Sequence, residues 1–263
     1  MSRPVITLTT DFGYADAYVG AMKGVILGIC PDSTLVDISH EIPPQAVRQA
    51  AYVLSAAAPY FPPKTVHLIV VDPGVGTSRR PIAVETQRPA YYVAPDNGVL
   101  SLAVAGDPVR QAVHLTDPRF QRPEVSATFH GRDIFAPAAA HLAAGLDLHE
   151  LGEPIRPSDL TALPVPQPVQ HANGTWQAEI MHIDHFGNLI TNFVPPSSTI
   201  ELSISTDNSY LPGIAHTFAD VMPGELLAYI GSSGYLELAV REGNAHAITG
   251  LGVGDSIQIE TQP

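Results

Sequence analysis

The chain has 263 residues, 45% of them hydrophobic and 15% charged, which is material for one large domain or two of moderate size. Its 13 Lys and Arg stand against 26 Asp and Glu, a net charge of −13 with His neutral; that excludes the clustered basic face nucleic-acid binding draws on, and it suits a cationic ligand. The single cysteine, Cys30, excludes an intramolecular disulfide framework and a cysteine-built zinc site, and in "GVILGIC" it reads as a small core residue.

The N-terminal "MSRPVITLTTDFG" runs directly into a strand pattern, so no signal peptide is expected, and no apolar run approaches membrane-spanning length. A soluble, cytoplasmic protein is therefore expected, with no membrane and no nucleic acid among its partners. "VITLTTD" (5–11) and "STLVDI" (33–38) read as strands, with a helix over 16–29 between them that Asp16 could cap. A second helix is expected over 45–58, and a largely buried third strand, "TVHLIVVD", over 65–72. "IAVET" (82–86) and "AYYVAPDNG" (90–98) continue the sheet, and 131–145 reads as a helix with Pro137 near its start. Such alternation predicts an α/β sheet with helices on its faces.

Prolines 154, 157, 164, 166 and 168 then form a stiff connector. Beyond it, helical periodicity nearly vanishes. "WQAEIMHID" (176–184), "NLITNF" (188–193), "TIELSIS" (199–205), "ELLAYIG" (225–231), "YLELAV" (235–240) and "SIQIE" (256–260) are short strands between turn residues, the pattern of a small barrel or sandwich. The expected division is an N-terminal α/β domain over 1–155, a linker over 156–170 and a C-terminal all-β domain over 171–263.

In open α/β sheets ligands gather beyond the carboxyl ends of the strands. Asp11, Asp72, Asp96 and Asn97 all fall at such ends. The DFG at 11–13 lacks the companion motifs of a kinase. "DPGVGTSRR" lacks the Gly-Lys-Ser/Thr of a phosphate loop, and no clear helix follows it. Its glycines suggest a tight turn, Asp72 opens it and Arg79 or Arg80 closes it, so a carboxylate and a guanidinium can converge from its two ends. His130, on a glycine turn before a helix, is a candidate for proton handling. In "HIDHFGN", His182 and Asp184 share a strand face while His185 points away, which argues against a metal site; Asn188 is available for hydrogen bonds. The Ser232–Ser233–Gly234 turn offers hydroxyls and amides suited to a carboxylate.

Taken together, "TLTTDFG", "VDPGVGTSRR", "APDNG", "ATFHGRDIF", "IDHFGN" and "GSSGYLELAV", spread in order from residue 7 to 240, resemble the S-adenosylmethionine hydroxide adenosyltransferases, relatives of halogenating enzymes that use the same substrate. The resemblance implies an α/β domain followed by a β-barrel, a homotrimer with sites at subunit interfaces, and attack of water or hydroxide at C5′ of S-adenosylmethionine to give adenosine and methionine. It implies that Asp72, Arg79 and His130 handle the water, with the proton going to His130 or Asp72. It implies Asp11 for the ribose diol, Asp16 and Asp184 for the methionine ammonium, and Ser232 for its carboxylate. Asn188 and the backbone near Phe218 would serve adenine, Phe186 is a further substrate-binding residue, and Asn97 would support the site. No cofactor or metal is called for, because a sulfonium is already a good leaving group. The halogenating relatives carry other residues at Asp72 and His130, a serine where this chain has Gly131, and an arginine at Ser233; Arg241 departs from the asparagine expected of a hydrolase. A halide-using adenosyltransferase and a non-catalytic adenosine or S-adenosylmethionine sensor are the alternatives.

Overall fold

The computed structural model describes residues 3–164, 166–196, 201–206 and 209–262. Its chain divides into two compact units, Met1–Leu163 and Pro164–Pro263.

The first unit is built on a seven-stranded sheet of β1 (Val5–Thr10), β2 (Thr34–Ser39), β3 (Val66–Val70), β4 (Pro81–Thr86), β5 (Tyr91–Pro95), β6 (Val109–Leu115) and β7 (Gly152–Ile155), in the order β2-β1-β3-β5-β4-β6-β7. Strands β2, β1, β3 and β5 are parallel, whereas β4, β6 and β7 add an antiparallel half. Neither β6 nor β7 is evident in the sequence, because "VRQAVHL" alternates weakly and "GEPI" contains a proline.

Alternation sorts the side chains into two cores. Ile6, Leu8, Val66, Leu68, Val70, Val93 and Val113 face one side, under helices α1 (Tyr18–Ile29) and α4 (Ala136–Ala143). Ile69, Val71, Ile82, Val84 and Tyr92 face the other, under α2 (Val47–Ala57) and the short α3 (Ser101–Gly106). On α1 the buried residues Val19, Met22 and Ile26 recur at helical spacing, giving one apolar stripe. Within the sheet Thr7 is in register with His67 and its hydroxyl lies 2.8 Å from His67 Nδ1, so this buried imidazole is hydrogen-bonded.

Three helix expectations are corrected. Helix α1 starts at Tyr18, its N-cap position is Ala17, and no side chain caps it, so Asp16 is not the cap. Helix α2 begins two residues late because Gln45 has φ +66°, outside helical space. The third opens with a wide π-turn, Gly131–Phe135, in which the Ala136 N–H reaches back five residues to Gly131 O. Pro137 explains part of this: it has no N–H to offer Asp133 O, which accepts instead from Arg122 N at 2.9 Å.

Part of the expected connector packs on the first unit. Leu160 joins its core, Thr161 N donates to Asp96 Oδ1 at 2.8 Å, and Leu163 N donates to Ser101 Oγ at 2.8 Å.

The second unit is an antiparallel sheet. Its path runs β12 (Tyr210–Leu211), β11 (Glu201–Ser205), β15 (Ser256–Gln262), β9 (Trp176–Ile183), β10 (Leu189–Thr191), β14 (Leu236–Val240), β13 (Leu226–Ile230), and β8 (Val169–Gln170) pairs with β9. Thr199 and Ile200 of the expected strand lie outside the described residues. Ala215, just past β12, bridges to Tyr229 of β13, which draws the two edges of the sheet together into a near-barrel. Ile180, Leu189, Phe193, Leu202, Ile204, Leu238 and Ile259 fill its interior. A short helix α5 (Ala245–Thr249), absent from the sequence reading, starts at Asn244, whose side chain accepts from Ala247 N at 2.8 Å, and stops at Gly250 with φ +73°.

Candidate active site

Strands β1 and β3 are neighbours and parallel, so their carboxyl ends open on the same edge of the sheet. Asp11 follows β1 directly, and Asp72 stands two residues past β3. The chain after Asp72 folds into consecutive turns: Val75 N donates to Asp72 O, Thr77 N and Oγ1 both donate to Gly74 O, and Arg79 N donates to Thr77 Oγ1. Gly76 is required twice over. Its φ is +76°, and a Cβ there would lie 2.7 Å from Ala127 O. These turns bring Arg79 back over Asp72.

The contact is bidentate: Arg79 Nε donates to Asp72 Oδ1 at 3.0 Å, and Nη2 donates to Oδ2. Both side chains are nearly buried, 7% and 5% exposed, so the pair is shielded from salt and water. Arg79 also packs over the Phe135 ring, 5.3 Å from its centroid. The adjacent Arg80 turns away to Asp96 and to Asp159 O, so only Arg79 closes the turn on Asp72.

His130 completes the group, with Nδ1 3.1 Å from Arg79 Nη2. A guanidinium can only donate, so Nδ1 accepts and the ring proton of the neutral imidazole sits on Nε2. Burial and the Arg79 cation both hold His130 below the usual imidazole range. For Asp72, burial pushes the carboxyl up and Arg79 only partly offsets it, leaving it above the usual carboxylate range.

Asp72 and His130 open into a cavity of about 400 Å³ lined also by Asp11, Phe12, Tyr18, Gln45 and Phe129. Gln45 N donates to Asp11 Oδ2 at 2.8 Å, a bond that takes one oxygen of the carboxylate. Tyr18 and Phe12 meet the Phe129 ring at centroid distances of 5.2 and 6.0 Å, forming an aromatic wall that sequence reasoning missed. The proximity of "DFG" to "DAYVG" and the Phe of "FHGRD" was its only sequence signal. Behind the wall, Gly131 is tight: a Cβ would come within 3.4 Å of Met22, Phe129 and Val70.

Two predicted site residues of this unit stand apart. Asp16 is exposed in the loop before α1 and is not part of the cavity wall. Asn97 binds the protein itself, Nδ2 donating to Val71 O at 2.9 Å and Oδ1 accepting from Val99 N at 3.1 Å. It ties the end of β5 to the chain entering Asp72.

In the second unit, Asp184 organises a loop. Its Oδ1 accepts from Phe186 N at 2.9 Å and from Asn188 N at 2.8 Å, and its Oδ2 accepts from Asn188 Nδ2 at 2.8 Å. Asn188 is buried, whereas the Phe186 side chain is exposed. Phe186, Asn188, Phe218 and Arg241 line one groove of about 640 Å³. Arg241 is anchored there by Nη1 donating to Val221 O at 2.8 Å. Ser232 lies on an exposed turn outside that groove. His182 is held below the usual imidazole range by burial, and His185 is exposed with its ring edge on Phe186 at 5.5 Å; among the described residues no three His, Cys, Asp or Glu converge as metal ligands.

Residues 6–152 match the SAM hydroxide adenosyltransferase N-terminal domain and residues 178–258 the SAM hydroxide adenosyltransferase C-terminal domain. An (R)-S-adenosyl-L-methionine hydrolase of Salinispora tropica is 44% identical over 97% of both chains. One from Thermus thermophilus is 41% identical over 98% of this chain and 99% of its own. The crystal structure of an uncharacterized conserved protein from Thermotoga maritima superposes with a TM-score of 0.88 at 37% identity, covering 97% of this chain and 99% of that one.

Proposed function

The chain belongs to the SAM hydroxide adenosyltransferase family, and from that premise we propose that it hydrolyses S-adenosyl-L-methionine to adenosine and L-methionine. Water attacks C5′, the new C–O bond forms as the C5′–S bond breaks, and the bonding pair leaves with sulfur as the neutral thioether of methionine. The sulfonium is its own leaving group, so the reaction as proposed uses no cofactor.

The observation that carries the reading is the buried Asp72–Arg79 pair with His130 on the outer edge of the same guanidinium. Free water is a weak nucleophile with a pKa near 15.7 and needs both orientation and a proton acceptor. Arg79 occupies His130 Nδ1, so the imidazole offers an Nε2–H to the water oxygen rather than a lone pair to its proton. Asp72 is the acceptor: each of its oxygens retains a lone pair, and its raised pKa makes it a stronger base than an ordinary carboxylate. The proton passes to Asp72 and on to solvent. Asp11, fixed by Gln45, is proposed to take the ribose diol, with Phe186, Asn188 and Phe218 serving adenine. Asp16, Asp184 and Ser232 would take the amino-acid end, and Asn97 supports the frame. A dry site favours a step in which water made hydroxide-like by Asp72 meets a cation and charge separation is lost.

We propose further that the protein acts as a homotrimer in the cytoplasm, each ligand drawing on the first unit of one subunit and the second unit of another. The exposed Phe186 and Phe218 support a surface that is covered in the assembly. No helix among the described residues is long and apolar enough to cross a membrane.

Turnover of S-adenosylmethionine in ¹⁸O-water, followed by mass spectrometry, tests the reading. One labelled oxygen at C5′ of adenosine and none in methionine is expected. Folded protein that gives no adenosine refutes it.

A further inference from the structure

We propose that His40 is a positioning residue for Asp11, acting through Thr10. The inference rests on the role assigned above to Asp11 and adds a residue that touches neither substrate nor the reacting atoms.

His40 stands just past β2, its residue only 1% exposed. Its Nδ1 lies 2.7 Å from Thr10 Oγ1. Thr10 ends β1 immediately before Asp11, and its hydroxyl oxygen also accepts from Phe12 N at 3.2 Å. On the opposite edge of the ring, His40 Nε2 lies 3.1 Å from Asp37 Oδ1. Asp37 is anionic by its surroundings: burial pushes it up, but Lys23 at 2.7 Å, with His40 and Tyr14, outweighs that and holds it below the usual carboxylate range.

The directions of these bonds follow from the partners. The Asp37 carboxylate lies beside Nε2 without the geometry of a hydrogen bond and favours a proton on that nitrogen by charge alone; in the tautomer that carries it, Nδ1 is a lone pair. The Thr10 hydroxyl must then donate to it, leaving its oxygen to receive Phe12 N. The Thr10 hydroxyl thus ties the residues on both sides of Asp11 together, and His40, just past β2, holds that hydroxyl in place. One further bond and one ring contact strengthen the grip: Gly13 N donates to His40 O at 2.8 Å, and the Tyr14 ring stands edge-on to His40 at 4.9 Å. With Gln45 N holding one Asp11 oxygen, the free oxygen is aimed rather than merely present. Neither His40 nor Thr10 nor Asp37 lines the cavity, which distinguishes orienting from binding.

The test uses the shape of two amides. His40→Asn places an oxygen where Nδ1 was and keeps the Thr10 bond. His40→Gln reaches the Nε2 position, keeps the contact with Asp37 and loses Thr10. Thr10→Val removes the hydroxyl from the other side with little change of shape. His40→Gln and Thr10→Val are each expected to raise KM for S-adenosylmethionine and Kd for adenosine about tenfold, with kcat changed less than about threefold. His40→Asn should stay within about threefold of wild type. The loss should shrink below about twofold for 2′,3′-dideoxyadenosine, which has no diol for Asp11 to hold. A purely structural role would weaken both nucleosides alike, and that outcome overturns the proposal. So would wild-type affinity in both His40→Gln and Thr10→Val; if the former fails to fold, the latter decides. A wild-type protein without hydrolysis refutes the proposed function instead, while the adenosine binding series still judges His40.

Discussion

Replacing Asp72 by Asn keeps the shape of the carboxyl and removes its charge and its basicity. If Asp72 accepts the proton from water, the loss is that of a general base, about 10²–10⁴-fold in kcat. KM should change little, because Asp11, Asn188 and Phe218, the groups proposed to hold the ligand, are untouched. The fold should survive with a measurable penalty. Burial costs the Asp72 charge more than Arg79 returns, as the raised pKa records, so the penalty comes chiefly from the abandoned guanidinium. Removing one member of a buried pair costs about 3–5 kcal/mol when nothing else is near. Arg79 keeps His130 Nδ1 at 3.1 Å and the Phe135 face, which reduces the expected loss to about 2 kcal/mol. The pH profile gives a second readout. Turnover needs the ionised carboxylate, so kcat falls as pH drops through the Asp72 pKa, which burial lifts above its ordinary 3.8; the variant should lack that acid limb. The assay is steady-state release of adenosine, with adenosine affinity and urea unfolding measured on the same preparation. A folded variant with kcat within about fivefold of wild type, or with the acid limb intact, would refute the assignment of Asp72 as base.

Asn97→Ala should lose about 1–3 kcal/mol of stability by urea unfolding, since it strands the buried Val71 carbonyl and Val99 amide; an unchanged midpoint would count against the tether. Gly76→Ala forces a side chain into φ +76° and within 2.7 Å of Ala127 O, for an expected cost of about 2 kcal/mol and a lowered Tm. Its kcat should fall with it, as the turn that returns Arg79 to Asp72 is displaced. His67 is buried and pushed by desolvation from 6.5 down to about 4, so the unfolded chain binds the proton first. Stability is then full above the unfolded value and falls as pH drops from about 6.5 toward about 4, by about 3 kcal/mol. His67→Gln should flatten that slope in urea titrations across the same range; a parallel slope would show that other groups cause it.

Much of the first unit could be read from residue pattern. The unbroken run before Asp72 identified a buried strand, and the stripe Val19, Met22, Ile26 identified a helix, because burial on one or both faces leaves a period in the sequence. Of the antiparallel half of the sheet, β4 was legible and β6 and β7 were not. Strands β6 and β7 owe their state to pairing with β4 and with each other, a tertiary cause that leaves no local period. Which arginine meets Asp72 was equally hidden: Arg79 and Arg80 are adjacent, and their parting depends on the hydroxyl of Thr77 and on Asp96, a partner 16 residues onward. Asn97 illustrates a general limit. An amide serves ligand or backbone alike, and only its neighbours decide. The ordered motifs from residue 7 to 240 pointed to the family, while the aromatic wall of Phe12, Tyr18 and Phe129 needed the fold to bring it together.

The wide turn at Gly131–Phe135 has a consequence for helical phase. Each residue of an α-helix advances the face by about 100°. One additional residue in the turn therefore rotates everything upstream relative to everything downstream by roughly that angle. Below the turn, Ala136, Ala139 and Ala140 keep their faces against the sheet; above it, His130 is swung round to the edge of Arg79. Packing and chemistry ask for two different rotations of one helix, and the turn supplies both. Shortening the segment by a single residue would leave the helix buried as before and the imidazole pointing somewhere else.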